Sequence, residues 1–515
     1  MTSSQPGKYE SWEKERLISR IRQLEDELES RPRAKTPPPA KRKPRRADAS
    51  RYSTRFIALK LAYLGKRYGG FEFAPSAAKP TIEGKLWEAL TKACLIFPED
   101  PDFVNFDCCE YSKCGRTDRG VSAFGQVIGL RVRSSRPLPK PAVAEGESDA
   151  AAAAAVAEKT EEEIAAEEKK RKAAEEWTDA HEIDYINTLN RLLPDDIRIL
   201  AWCPSPPPDF SARFSCEERE YRYFFTQPAF APTEGSSGPG LQEGYLDIEA
   251  MNDAAQRFVG NHDFRNFCKV DGSKQITNFE RHMFEAKVVE VADVGTALPY
   301  LGADAASGAG GVLPKVYSFN IRGTAFLWHQ IRHIVSILFL VGQRLETPDL
   351  VTRLLDVEKS PQKPNYDLAH ETPLVLWNCV FPGDAASRTS ATSAAALRWV
   401  YGGADVVESM WANWREKKMD ELLSNRLLDL ASCQVRATAA KAKGKRVFSG
   451  GPSGKLSGGY VPIAKKQLTP TPQEINDRWA QRKGFKNSEE MKESKNWRQT
   501  IKEAKRAAKE DAGDE

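Results

Sequence analysis

Hydrophobic and polar positions follow two different periods across the middle of the chain. Apolar residues occupy alternate positions from 57 to 63, which predicts a strand with one buried face. From 82 to 97 they recur at helical spacing behind Thr81, a residue type that commonly caps a helix N-terminus. The stretch at 126–132 predicts another strand. Strand, helix and strand together predict one α+β unit.

A second α+β unit is predicted further along the chain. Asp247 is the expected N-cap of a helix, and Gly260 is the residue expected to end it. The largely apolar stretch at 326–342 predicts a buried helix. Further strands are predicted at 283–291, 316–321 and 374–381.

Shifts in composition divide the chain into segments. Residues 136–182 are rich in alanine, glutamate and lysine, and 295–311 in glycine and alanine, so both are interpreted as low-complexity insertions. Leucine and isoleucine recur at 4-3-4 spacing between 17 and 28, which predicts an amphipathic helix too short to decide whether it self-associates. The predicted segments are a helix with a basic, proline-rich linker (1–54), an N-terminal α+β half (55–226), a C-terminal α+β half (227–383), and an extension (384–515) that is helical at 410–430 and then mostly a flexible basic tail.

The overall composition predicts a soluble intracellular protein. Its 515 residues carry a net charge of only +4, so a preference for anionic partners has to come from local clusters. The longest apolar run, about eight residues at 334–341, is much shorter than a membrane span, and the N-terminus lacks the pattern of a secretory signal. Nine cysteines without a repeated C-x-x-C are expected to be reduced thiols. Cys108, Cys109 and Cys114 hint at a metal site, but no second ligand pair follows them, so no metal is predicted.

The most informative stretch is 115–123, because it places Asp118 between two arginines inside a turn that begins and ends near glycines. The flanking guanidinium groups of Arg116 and Arg119 favour the ionised carboxylate, which suits a nucleophile or base, and they also suit a phosphate-bearing substrate. Taken alone, the tripeptide R-T-D is far more typical of a surface turn with an Arg–Asp pair than of a catalytic loop.

The same stretch, G-R-T-D-R-G-V-S-A, resembles the catalytic loop of the TruA-type tRNA pseudouridine synthases. A later Y-R-Y segment is similar to the family motif whose first tyrosine stacks on the target base near its reactive atoms. This resemblance implies base stacking and help with proton transfer at C5 for Tyr221, and a core position for Tyr223. Arg332 lies in an apolar helix, where a guanidinium needs an anionic partner. The family pattern implies that this partner is Asp118.

Three further segments narrow the resemblance to the eukaryotic branch, whose members act at positions 38 and 39 of the tRNA anticodon stem-loop. They lie at 260–271, 361–366 and 373–376, and the whole resemblance runs from about 56 to 382 outside the two insertions.

The resemblance implies an α+β fold in which two ferredoxin-like halves join a mainly antiparallel sheet around a central basic cleft. It also implies a homodimer that clamps tRNA, and an isomerisation of uridine to pseudouridine that needs no cofactor and no metal. Arg116 is expected to fill the space left by the flipped base or to hold the backbone. Lys113, Arg119, Arg213 and Arg222 are further expected RNA contacts.

Three alternatives stay open from the sequence. The same reaction could act on other tRNA or mRNA uridines, a non-catalytic protein could bind or chaperone tRNA, or a hydrolase could pair Asp118 with Glu110. The basic cluster K-R-K-P-R-R at 41–46 suits nuclear import or RNA contact, or is a solvated linker, so nucleus and cytoplasm are both expected locations.

Overall fold

A computed structural model describes residues 13–30, 49–138, 177–230, 244–292, 315–384, 396–434, 445–452, 455–457, 459–494, 497 and 499. The chain divides into two units, residues 1–48 and 49–515. In the first unit, helix α1 (Lys14–Ser30) covers the predicted amphipathic stretch, and its Ile18 and Ile21 are exposed. The basic cluster at 41–46, the loop at 295–311 and most of the insertion at 136–182 lie outside the described residues.

The second unit is built on one ten-stranded sheet. Its strands are β1 (Ser53–Tyr63), β2 (Ser112–Lys113), β3 (Ser122–Ser134), β4 (Ile197–Cys203), β5 (Glu218–Gln227), β6 (Gly260–Asp263), β7 (Glu280–Glu290), β8 (Lys315–Gly323), β9 (Leu374–Val380) and β10 (Val400–Tyr401). They lie in the order β10-β4-β1-β3-β9-β5-β8-β7-β6, with β2 paired to β3 at the side. The pairs are antiparallel apart from β3 and β9, so the expected α+β fold with a mainly antiparallel sheet is confirmed.

Strand β9 joins the two halves of this sheet. It pairs in parallel with β3, where Ser122 lies opposite Val375, and antiparallel with β5, where Tyr221 lies opposite Leu376. All but the last residue of strand β5 falls before the predicted boundary at 226, but the strand pairs with β8 and β9 of the C-terminal half. The catalytic loop before β3 and the tyrosine strand β5 are therefore connected through β9.

Up to residue 434, the described helices of this unit are α2 (Ile82–Lys92), α3 (Tyr185–Asn190), α4 (Ile248–Gln256), α5 (Gln330–Gly342), α6 (Asp349–Leu355) and α7 (Ala404–Gln434). Both predicted N-caps are confirmed, because Thr81 accepts from Gly84 N at 3.2 Å and Asp247 accepts from Ala250 N at 3.0 Å. Helix α4 packs against α5 and β7. Among the described residues, no helix combines the length and the apolar character needed to cross a membrane.

The prediction of a mostly flexible tail after 437 is wrong for the described part of it. Strands β11 (Lys445–Val447) and β12 (Lys455–Ser457) pair with each other, and helices α8 (Pro472–Gln481) and α9 (Ser488–Glu493) follow. Phe448 and Ile463 are buried in the main core. A few apolar residues therefore anchor a segment whose overall composition resembles a linker.

Candidate active site

The loop between β2 and β3 carries Asp118 and is held from two sides. Gly120 N donates to Tyr68 O at 3.2 Å. Beneath the loop, the hydroxyl groups of Tyr63 and Thr117 form a hydrogen bond of 2.7 Å. Gly120 has a φ of +80°, a conformation that favours glycine. These contacts fix the backbone on both sides of Asp118.

The carboxylate of Asp118 meets two side chains from the turn that precedes α5. Trp328 Nε1 donates to Asp118 Oδ1 at 3.2 Å, and His329 Nε2 lies 3.6 Å from Oδ2. His329 has a φ of +61°, and this left-handed residue is the reason that α5 begins at Gln330 rather than at the predicted position 326. Burial and the nearby charge of Arg332 lower the pKa of His329 to about 4, so a neutral imidazole faces Asp118 at neutral pH.

Burial dominates the electrostatics of Asp118. It raises the pKa of Asp118 above its ordinary value, against the opposing effects of the Arg332 charge, the Trp328 hydrogen bond, and the charges of Lys269 and Arg116. The sequence predicted that the flanking arginines favour the ionised carboxylate. The charge of Arg116 acts in that direction, whereas partial burial of the carboxylate acts against it and is the larger effect.

Arg332 has a different direct partner from the expected one. Its Nη2 lies 2.9 Å from Glu371 Oε2, and its Nε donates to Ala369 O at 2.7 Å. It acts on Asp118 through its charge rather than through the predicted ion pair. Glu371 also supports the catalytic loop, since a Cβ on Gly120 would lie 2.5 Å from Glu371 Cγ. Arg332 therefore binds the segment ahead of β9, and Glu371 of that segment contacts the catalytic loop.

Tyr221 lies on β5 with its side chain largely buried. Its ring packs edge-on against Phe326, with ring centroids 5.1 Å apart. Tyr223, two positions along the same face, is fully buried and donates its hydroxyl hydrogen to His370 O at 2.9 Å, so the predicted alternation is confirmed. Leu376 is the β9 neighbour of Tyr221, and its side chain also approaches Gly115 of the catalytic loop. This contact brings Tyr221 and the Asp118 loop to one region of the sheet.

Two of the predicted RNA contacts are engaged by carboxylates of the protein. Lys113 Nζ lies 3.0 Å from Glu72 and 2.7 Å from the buried Glu83. Arg222 binds Glu220 at 2.9 Å and stacks on Trp377, with its guanidinium carbon 3.8 Å from the ring centroid. Both side chains therefore have partners within the protein.

The other three predicted contacts are exposed. Arg116 makes a longer contact of 3.4 Å with Glu72, whereas Arg119 lies on the solvent side of the catalytic loop. Arg213 is exposed with its guanidinium carbon 5.2 Å from the Phe214 ring, and that ring is 81% exposed. A surface of this kind offers both charge and stacking to a nucleic acid.

Comparison with known proteins decides the family. A family model described as tRNA pseudouridine synthase matches residues 254–382. A Saccharomyces cerevisiae tRNA pseudouridine(38/39) synthase is 34% identical over 513 residues, which cover 95% of this chain and 95% of the relative. This chain belongs to the TruA-type tRNA pseudouridine synthase family. The Homo sapiens tRNA pseudouridine(38/39) synthase is 36% identical over 78% of this chain and 71% of the relative, and a Methanothermobacter thermautotrophicus tRNA pseudouridine synthase A is 30% identical over 59% and 74%.

Three residues around Asp118 in this synthase were not singled out from the sequence as parts of the site. Trp328 binds the carboxylate directly, and His329 faces its other oxygen. Lys269 is exposed, donates its backbone N–H to Trp328 O at 2.9 Å, and places Nζ 4.5 Å from the centre of the Trp328 ring. The sequence did carry signals for all three, because Trp328 and His329 lie in the predicted helical stretch that holds Arg332, and Lys269 lies within the 260–271 motif.

Proposed function

We propose that this protein isomerises uridine to pseudouridine in tRNA, at positions 38 and 39 of the anticodon stem-loop. The observation that carries the proposal is a partly buried aspartate on a fixed loop, in the same region of the sheet as a largely buried tyrosine and within the field of an arginine. The printed names of the yeast and human relatives support the substrate and the two positions.

In this reaction the N1–C1′ bond of uridine breaks and a C5–C1′ bond forms. The hydrogen on C5 leaves to solvent, and N1 gains a proton. Asp118 is the nucleophile or base that acts at the sugar or the ring, and Arg332 and Trp328 favour its ionised form. Tyr221 stacks on the uracil beside the loop.

A base in the anticodon stem has to leave its stack before it reaches Asp118. The exposed Arg116 is placed to fill the vacated space or to hold the backbone. Arg119, Arg213 and Lys269 are the exposed cations best suited to phosphate contacts, whereas Lys113 and Arg222 would first have to leave their carboxylate partners.

The hydrolase alternative receives no support from the geometry of its second carboxylate. Glu110 is 60% exposed and binds Arg131 at 2.7 Å, and this partner lowers the pKa of Glu110. An exposed carboxylate with a lowered pKa is a poor proton donor for a carboxylate dyad.

The experiment uses unmodified tRNA with uridine at position 38 or 39 and matched transcripts in which cytidine replaces it. Carbodiimide treatment followed by primer extension maps pseudouridine in each transcript. We expect product at the uridine positions with the wild-type protein and none with Asp118→Ala. Product at other positions would reject the 38/39 assignment, and tRNA binding without product from either protein would favour the non-catalytic alternative.

The homodimer and the location in the cell also belong to this proposal. The family resemblance supports a dimer that clamps one tRNA, and sedimentation of the purified protein with and without tRNA tests it. A dimer-sized species is expected, and a monomer that binds tRNA as a one-to-one complex would contradict it. Deletion of 41–46 in a fluorescent fusion tests nuclear import, and unchanged nuclear signal would leave that cluster without this role.

A further inference from the structure

Three cysteines far apart in the sequence converge behind the catalytic loop. The Sγ atoms of Cys114, Cys216 and Cys379 all lie within 4.8 Å of one another. Their residues are 4%, 8% and 2% exposed, so the cluster is shielded from solvent. Within the part of the chain that the structure describes, it is the one group of three or more potential metal-ligating side chains at this spacing.

The backbone already fixes each of the three thiols. Cys114 directly follows β2, and its N–H donates to Val127 O at 2.9 Å. Cys216 lies just ahead of β5, and Cys379 lies within β9. The thiols therefore come from the catalytic-loop side, the tyrosine strand, and the strand that joins them.

The sulfur spacing fits a shared ion. Thiolates bound to zinc at ~2.3 Å lie ~3.8–4.0 Å from one another. Since the three sulfur atoms already lie within 4.8 Å, small rotations of the side chains bring them to that spacing.

A cation supports the charge that such a site would carry. Arg219 Nη2 donates to Cys114 O at 3.1 Å, and the guanidinium interacts electrostatically with all three thiols. Three thiolates leave a net charge of −1 around Zn²⁺ and −2 around Cu⁺, and the guanidinium offsets one of these charges in this buried setting.

We propose that Cys114, Cys216 and Cys379 bind one thiophilic metal ion, either Zn²⁺ or Cu⁺. On binding, the three thiols release their protons to solvent as three metal–sulfur bonds form. Cu⁺ is satisfied by three thiolates, whereas Zn²⁺ would take a water as its fourth ligand. The ion is a positioning element that ties the Asp118 loop to the Tyr221 strand. This site departs from the sequence-based expectation, which considered Cys114 only with Cys108 and Cys109.

The test measures metal content of the full-length protein after purification under reducing conditions in metal-free buffer. Plasma mass spectrometry is expected to find about one zinc or copper ion per chain in the wild type. Cys216→Ser and Cys379→Ser should each lower the metal content by ~tenfold or more. Cys203→Ser is the matched control, because Cys203 is fully buried on β4 and lies outside the cluster.

A second measurement does not depend on the folding of the variants. Cd²⁺ is titrated into wild-type protein freed of metal, and the ultraviolet thiolate-to-cadmium band reports the number of thiolates bound. A band of three-thiolate intensity at one equivalent, with a raised melting temperature, supports the site. The site is refuted if the wild-type protein contains no metal as purified and also shows no such band when Cd²⁺ is added. A disulfide between two of these cysteines under native conditions, found by peptide mapping, also overturns it.

Discussion

Removal of the Trp328 N–H should move the activity of this enzyme toward higher pH. Trp328 Nε1 donates to Asp118 Oδ1 at 3.2 Å and favours the carboxylate over the carboxylic acid, whereas burial acts in the opposite direction. Trp328→Phe keeps an aromatic ring but lacks the donor. The folded-state pKa of Asp118 should therefore rise further, and more of the enzyme should carry a protonated, inactive Asp118 as the pH falls.

The size of the effect follows from the strength of this hydrogen bond. A hydrogen bond to a charged group contributes about 1.5–3 kcal/mol. Since Trp328 is 42% exposed, the lower end applies. About 1.5 kcal/mol corresponds to a roughly tenfold loss of kcat/KM on the acid side of the profile. At high pH, where Asp118 is ionised in both proteins, the loss should disappear.

The assay is a pH profile of kcat/KM for pseudouridine formation in both proteins. The matched control is Trp414→Phe, because Trp414 is similarly exposed at 37% but lies on α7. The control should follow the wild-type profile. An equal loss at every pH in Trp328→Phe would mean that Trp328 acts through packing or RNA contact, and it would refute the electrostatic argument.

Three further predictions concern the loop, the tail and the RNA surface. Gly120→Ala places a Cβ at a residue with a φ of +80° and 2.5 Å from Glu371 Cγ. Chemical denaturation should therefore show a free energy of unfolding lower by ~1–3 kcal/mol, and kcat should fall. In the control Gly403→Ala the added Cβ meets no atom within 4 Å, so neither quantity should change. Phe448→Ala should lower the free energy of unfolding by ~3–5 kcal/mol, because Phe448 is buried in the core. The control Leu423→Ala should change it little, because Leu423 is 68% exposed. If Phe448→Ala changed the free energy of unfolding as little as the control, the tail would be dispensable for the fold. Arg213→Ala should make the salt dependence of tRNA binding shallower by ~1 in the log–log slope, and an unchanged slope would remove Arg213 from the phosphate contacts.

Local patterns in the sequence were sufficient for much of this fold. Thr81 and Asp247 cap helices as predicted, because capping depends on residues within three positions of each other. Alternation on β5 correctly placed Tyr223 in the core. The Asp118 loop could be identified because its chemistry lies within nine consecutive residues.

Features that depend on distant segments were missed. Arg332 needed an acidic partner, but the choice of Glu371 over Asp118 depends on how the segment ahead of β9 packs. Burial raises the pKa of Asp118 against the nearby positive charges, and no neighbouring residue in the sequence reports that burial. Phe448 lies in a glycine- and lysine-rich stretch, so its place in the core could not be read from composition.

The central claim is that Asp118 carries out uridine isomerisation, and tritium release tests it most directly. Transcribed tRNA that carries tritium at C5 of uridine loses the label to water as the C5–C1′ bond forms. Wild-type protein in single turnover should release the label from the modified uridines, and Asp118→Asn should do so at least ~10³-fold more slowly while it binds the tRNA with similar affinity. Release by Asp118→Asn at the wild-type rate would contradict the account.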